Sequence, residues 1–197
     1  MVNVGAEPGT GSGAGSEAGR GAGREAGAGT APEGGADGRA RRRARLVAPL
    51  IVFGVVALDQ ATKVWAVAAL ADGPVGIVGS TVELRLARNP GGAFSLFQGF
   101  TPLLAVLAAV VAAVLVRAVR RTDDRWTVVA LSLVLAGALG NLVDRVFRSP
   151  GFLEGWVVDF VSVGRWPSFN VADSAITVGA VALVVVTWRR GPAAAGG

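Results

Sequence analysis

The sequence contains no cysteine and no histidine, and Lys63 is its only lysine. Without thiols or imidazoles there is no disulfide, no cysteine nucleophile, no histidine-based metal site and no Ser-His-Asp triad. The missing cysteines also leave the redox compartment unread. The net charge of +5 is carried by arginine. Strong basicity is one signature of nucleic-acid binding. Here the arginines flank apolar runs, so they read as determinants of membrane orientation, and no nucleic-acid partner is expected.

What is abundant is hydrocarbon. Hydrophobic residues make up 52% of the chain and the mean hydropathy is +0.53. A length of 197 residues predicts one domain. Residues 1–44 are Gly, Ala, Ser and Glu with almost no large apolar side chain, which predicts a disordered cytoplasmic tail. No early apolar core marks a secretory or transit peptide. Four apolar runs follow, near 46–70, 102–119, 126–143 and 171–188. Each approaches the ~20 residues that a membrane-spanning helix needs. The expected architecture is an all-α membrane protein. It has four transmembrane helices over residues 45–190, a small extracytoplasmic β-rich loop and a C-terminal tail at 191–197. There is no internal repeat.

Arginine clusters set the expected orientation. Arg39, Arg41, Arg42, Arg43 and Arg45 precede the first run; Arg117, Arg120, Arg121 and Arg125 separate the second and third; Arg189 and Arg190 follow the fourth. All should face the cytoplasm, with both termini inside and two connections outside. In the first outer connection Val82, Leu84 and Leu86 alternate with Glu83 and Arg85, the period of a half-buried strand. Asn89-Pro90-Gly91-Gly92 then reads as a turn. That loop is either a short hairpin lid or an edge that holds a peptide strand. The second outer connection, 146–170, is rich in Gly, Pro and Trp, and Trp156 and Trp166 suit a membrane interface.

Polar residues at the ends of these runs carry the chemistry. A carboxylate at the centre of a membrane helix costs about 2.5–3.5 kcal/mol on insertion scales, so each one near hydrocarbon is a candidate functional group. Asp59 and Lys63 are four apart on one helix face. They are either a structural ion pair or site-orienting groups. Asn141 and Asp144 share a face at the end of the third run, with Arg145 adjacent as a candidate partner for Asp144. Asp159 lies among Val157, Val158, Phe160 and Val161 with no basic residue within four positions, so desolvation should raise its pKa. Asn170 is a candidate N-cap for the fourth helix, with Asp173 in its first turn; the cap is compatible with catalysis. If Asp159 and Asp173 meet, they share a proton, activate water and protonate the leaving group of an amide without a metal or cofactor. Spacing alone does not show that they meet.

Two other readings compete. A serine–lysine endopeptidase would use Lys63 as a neutral base with Ser95 or another serine, which Asp59 one turn away opposes. A proton-linked transporter would need polar groups near mid-membrane in several helices, whereas the second run has none.

In order, Asp59-Gln60-Ala61-Thr62-Lys63, Asn89-Pro90-Gly91-Gly92-Ala93-Phe94-Ser95, Gly140-Asn141-Leu142-Val143-Asp144-Arg145, Val157-Val158-Asp159-Phe160 and Phe169-Asn170-Val171-Ala172-Asp173-Ser174 form a set that resembles the prolipoprotein signal peptidases, or signal peptidase II. The resemblance covers about residues 46–190. It implies an intramembrane aspartyl endopeptidase of the bacterial cell membrane, with its site near the outer surface. Such an enzyme cuts prolipoproteins before a diacylglyceryl-modified cysteine. The implied catalytic pair falls on Asp159 and Asp173. Asp59, Lys63, Asn89, Asn141, Asp144, Arg145 and Asn170 would shape the site and hold the substrate backbone. Membrane lipid as a partner, no cofactor, and inhibition by the cyclic peptide globomycin are also implied. Pro90 within the Asn-x-Gly motif departs from the family pattern and stiffens that loop.

Overall fold

The computed structural model describes residues 34–79, 81–91 and 101–190. Four helices dominate: α1 (Gly34–Ala69), α2 (Thr101–Arg121), α3 (Arg125–Phe147) and α4 (Val171–Arg189). Three strands complete the fold: β1 (Val75–Val78), β2 (Val82–Asn89) and β3 (Val157–Val163). Leu46–Ala69 of α1 and the whole of the other three helices are long and apolar enough to cross a membrane.

The helix α1 begins at Gly34, within the N-terminal tail, and its apolar span begins at Leu46. The rest of that tail and residues 191–197 lie outside the described residues. So do Gly92, Ala93, Phe94 and Ser95 of the second motif.

The central element is α3. Its span is 44% buried, against 11–17% for the other three, and α1, α2 and α4 all pack on it. Small residues make that possible. A Cβ on Gly137 would overlap the Ala172 carbonyl oxygen and Ile176, and one on Gly140 would stand 2.7 Å from an Asp59 carboxylate oxygen. Close backbone approach at small residues replaces the hydrophobic effect as the source of helix association in lipid. At the start of α3, Asp124 caps the helix by accepting from Thr127 N at 2.7 Å. Hydrogen bonds from Thr127 and the charge of Arg190 hold its carboxyl below the usual carboxylate range.

The sheet is antiparallel in the order β1-β2-β3 and draws on both connections between spans. The first connection supplies the expected strand at β2. The second supplies β3, which its irregular composition concealed. The register slips by one residue between the Leu84–Val161 and Ala87–Asp159 pairs, a β-bulge that re-aims the end of β2. Phe160 anchors the sheet to α1 by packing with Ala66 and Leu70, and its ring meets Trp65 edge-on at 6.4 Å.

Two glycine substitutions separate packing from helix propensity. Gly137→Ala should lower the unfolding temperature in detergent, by the equivalent of about 1–3 kcal/mol. Gly54→Ala, whose Cβ would meet nothing within 4 Å, should be neutral or stabilising by up to about 1 kcal/mol. Equal effects would contradict this α3–α4 contact.

Candidate active site

The polar motifs converge where α1, α3, α4 and β3 meet. Lys63 is fully buried and its ammonium has three protons to place. It reaches Asp59 at 2.8 Å, Asp144 at 2.9 Å and the Asn141 side-chain oxygen at 3.0 Å. The remaining carboxylate positions are also used. Asp59 Oδ1 accepts from Ala172 N at 2.9 Å at the start of α4. Asp144 Oδ2 accepts from Val158 N at 3.0 Å, and its Oδ1 accepts from Arg148 Nε at 2.8 Å and Gln60 Nε2 at 3.1 Å.

Asp144 therefore pairs with Lys63 and Arg148 and not with its neighbour Arg145. Adjacent helix residues point in different directions, whereas residues four apart share a face. Arg148 was legible by that rule; Gln60 was not, because its partners are 80 and 84 residues away.

From this cluster two asparagines lead to the candidate pair. Asn141 accepts from Lys63 and donates to Asp173 Oδ1 at 2.8 Å. Asn170 caps α4 in a reciprocal capping box with Asp173, and donates to Asp159 Oδ1 at 2.7 Å. Asn89 donates to the other oxygen of Asp159 at 3.2 Å. Asn89 lies opposite Val157 in the β2–β3 ladder, so it shares a face with Asp159 two residues on.

Asp159 and Asp173 line one cavity of about 240 Å³, together with Asn89, Asn141, Arg145 and Trp166. Burial, then the charge of Asp173, pushes the Asp159 carboxyl from 3.8 to about 7; hydrogen bonds from Asn89 and Asn170 and the charge of Lys63 oppose that rise. Arg145 is buried, and its Nη1 donates to the Asn141 carbonyl at 3.3 Å. Among the described residues no three acidic side chains are grouped as a metal ion would require.

The arrangement thus separates two kinds of residue. Asp159, Asp173, Asn89, Asn141 and Arg145 border the cavity. Asp59, Lys63, Asp144 and Asn170 are buried behind it. With all three protons of Lys63 engaged, a serine–lysine mechanism loses its base; Ser95 lies outside the described residues. Lys63→Met should leave two buried carboxylates short of a partner, costing about 3–5 kcal/mol. The check is unfolding temperature and membrane accumulation; an unchanged protein would show that the cluster carries little of the fold.

The sequence profile of the family described as signal peptidase (SPase) II matches residues 51–189. The chain is 54% identical over 144 residues to a lipoprotein signal peptidase of Rhodococcus jostii (strain RHA1), covering 73% of each protein. It is 49% identical over 150 residues to a lipoprotein signal peptidase of Mycobacterium avium (strain 104), covering 76% of this chain and 82% of the relative. A solved structure described as a bacterial membrane enzyme superposes with a TM-score of 0.66 at 27% identity, over 77% of this chain and 93% of that one. A profile matched along most of the chain, and relatives near half identical, establish that this protein belongs to the signal peptidase II family.

Proposed function

We propose that Asp159 and Asp173 are the catalytic pair of an intramembrane aspartyl endopeptidase that removes signal peptides from bacterial prolipoproteins, cutting before the diacylglyceryl-modified cysteine. The observation that carries this is the single cavity of about 240 Å³ lined by both carboxylates. They come from a strand and a helix start and are joined through Asn170, which donates to Asp159 and caps the turn of Asp173.

The two acids take different roles. Asp159, with its carboxyl pushed up to about 7, holds the shared proton. Asp173 faces the side-chain amide of Asn141 and the backbone N–H of Asn170, donors that suit an anion. Asp173 takes a proton from water as the water oxygen attacks the scissile carbonyl carbon, and Asp159 gives its proton to the carbonyl oxygen. The tetrahedral intermediate then collapses: the C–N bond breaks, the amine leaves with the proton held on Asp173, and the hydroxyl proton returns to Asp159. Each turnover restores the starting protonation. Arg145 and Asn89 are donors for substrate backbone carbonyls at the cavity wall.

The membrane arrangement follows from charge. Arg120, Arg121, Arg125, Arg189 and Arg190 gather at one end, where Arg190 pairs with Asp124 at 2.5 Å. Asp144 and the cavity lie at the other end of α3. By the positive-inside rule the arginine end is cytoplasmic and the carboxylates open near the outer surface. Lipid chains on the substrate cysteine would remain in hydrocarbon while water enters from outside. Globomycin is the expected inhibitor.

Asp159→Asn and Asp173→Asn should each reduce cleavage of a diacylglyceryl-modified precursor by at least about 10²-fold, with protein still accumulating in the membrane. Mass analysis of the products reads both rate and cut site, and near-normal cleavage by either variant would exclude the pair. Cleavage should also decline as pH rises through about 7, where Asp159 loses its proton.

The same titration acts on stability. The folded-state pKa of Asp159 lies above its ordinary 3.8, so its stabilising contribution is complete at low pH and is lost as pH rises through about 7. The unfolding temperature should fall over that interval, and Asp159→Asn should flatten the fall. An unaltered pH profile in the variant would assign the dependence to another group.

A further inference from the structure

At the end of the bundle away from the carboxylates, α1 and α2 both pack on α3 yet hardly touch each other among the described residues. Between them runs a groove of about 670 Å³, within the range of small-ligand pockets, about 300–1,000 Å³. Its walls are Val52 of α1 with Val116 and Val119 of α2, and its floor is Val128, Leu135 and Leu139 of α3. Arg120 and Thr122 line it at the α2–α3 connection.

Charge and length select the occupant. Arg120 makes no ion pair or hydrogen bond among the described residues, and Arg117, Arg121 and Arg125 lie close in sequence. The nearby acids are engaged: Asp124 pairs with Arg190, and Asp123 also has a partner. The end of the groove is therefore cationic. Along the floor, Leu139 is about three helical turns beyond Val128, roughly 16 Å. That is about half the roughly 30 Å of bilayer hydrocarbon, the depth of one leaflet. A substrate signal helix would need the full depth, and its positively charged leading segment would be repelled by these arginines.

We propose that this groove binds one anionic phospholipid from the leaflet on the arginine side, the cytoplasmic leaflet in the orientation above. One acyl chain lies along Leu135 and Leu139, and the phosphate accepts from the Arg120 guanidinium and the Thr122 hydroxyl. The site is separate from the cleavage chemistry and stands or falls without it.

The test uses the full chain in neutral detergent, with native mass spectrometry after adding phosphatidylglycerol or phosphatidylcholine. The wild type should retain one phosphatidylglycerol in preference to phosphatidylcholine. Arg120→Gln should weaken phosphatidylglycerol binding about fivefold, the weight of one arginine near an anionic surface, and leave phosphatidylcholine unaffected. Val52→Trp, which fills the groove, should lose the bound lipid while unfolding temperature confirms a folded chain. Because the protein has no cysteine, Val119→Cys gives a unique site for a photo-crosslinker. In nanodiscs of the two lipids it should capture phosphatidylglycerol and spare an added lipidated precursor. Undiminished phosphatidylglycerol binding in Arg120→Gln and in Val52→Trp would overturn the proposal, as would capture of the precursor in place of lipid.

Discussion

The rest of the structure depends on one ammonium group fully buried from solvent. Lys63 is held between Asp59 and Asp144, and Arg148 supplies the second positive charge to Asp144. Two cations and two anions then cancel, which is the condition for keeping charge away from solvent. The cluster is also a joint. Asp59 and Lys63 belong to α1 and Asp144 to α3; the Asp59 oxygen not paired with Lys63 accepts from Ala172 N of α4, and the Asp144 oxygen that pairs with Lys63 also accepts from Val158 N of β3. In a bilayer, where helix association has no hydrophobic driving force, this network supplies a specific register for four elements at once.

The candidate chemistry is built outward from that joint. Asn141 touches Lys63 on one side and Asp173 on the other. Asn170 touches Asn141, Asp159 and the first turn of α4. An asparagine suits such a position because it donates and accepts without adding charge. The acid pair thus borders an ion cluster and is linked to it, among the described residues, through neutral amides. Burial and the charge of Asp173 outweigh the charge of Lys63 and raise the Asp159 carboxyl to about 7. The cavity sets both carboxylates among anchored donors, Asn89, Asn141 and Arg145, and fixed donors act on a reacting group without having to reorganise.

Much of this was legible in the sequence. The four spans follow from hydropathy and length: the first ends one residue earlier than expected, and the other three run one to four residues further at their ends. The Asp59–Lys63 pair and the Asn170 cap follow from helical spacing and cap chemistry. What the sequence hid was pairing between distant segments. The strand β3 sets Asp159 and Ser162 among apolar residues without strict alternation, and it is a strand because β2 lies beside it some seventy residues earlier. The third partner of the ion cluster, Gln60's reach to Gly140 and Asp144, and the convergence of Asp159 with Asp173 depend on how helices pack. Local periodicity carries no record of that. The expectation of Arg145 as the partner of Asp144 took sequence adjacency for spatial adjacency.

The bridge between Val161 and Phe169 returns β3 directly onto the start of α4. Asp159 and Asp173 are thereby tied by a short stretch of backbone. Membranes differ in thickness, and helices answer by tilting. Since α3 and α4 share a contact too close to slide, at Gly137 and Ala172, such tilting would carry both carboxylates as one body. A change of membrane thickness would then be met by a shared tilt, with the turn that joins the two acids carried along.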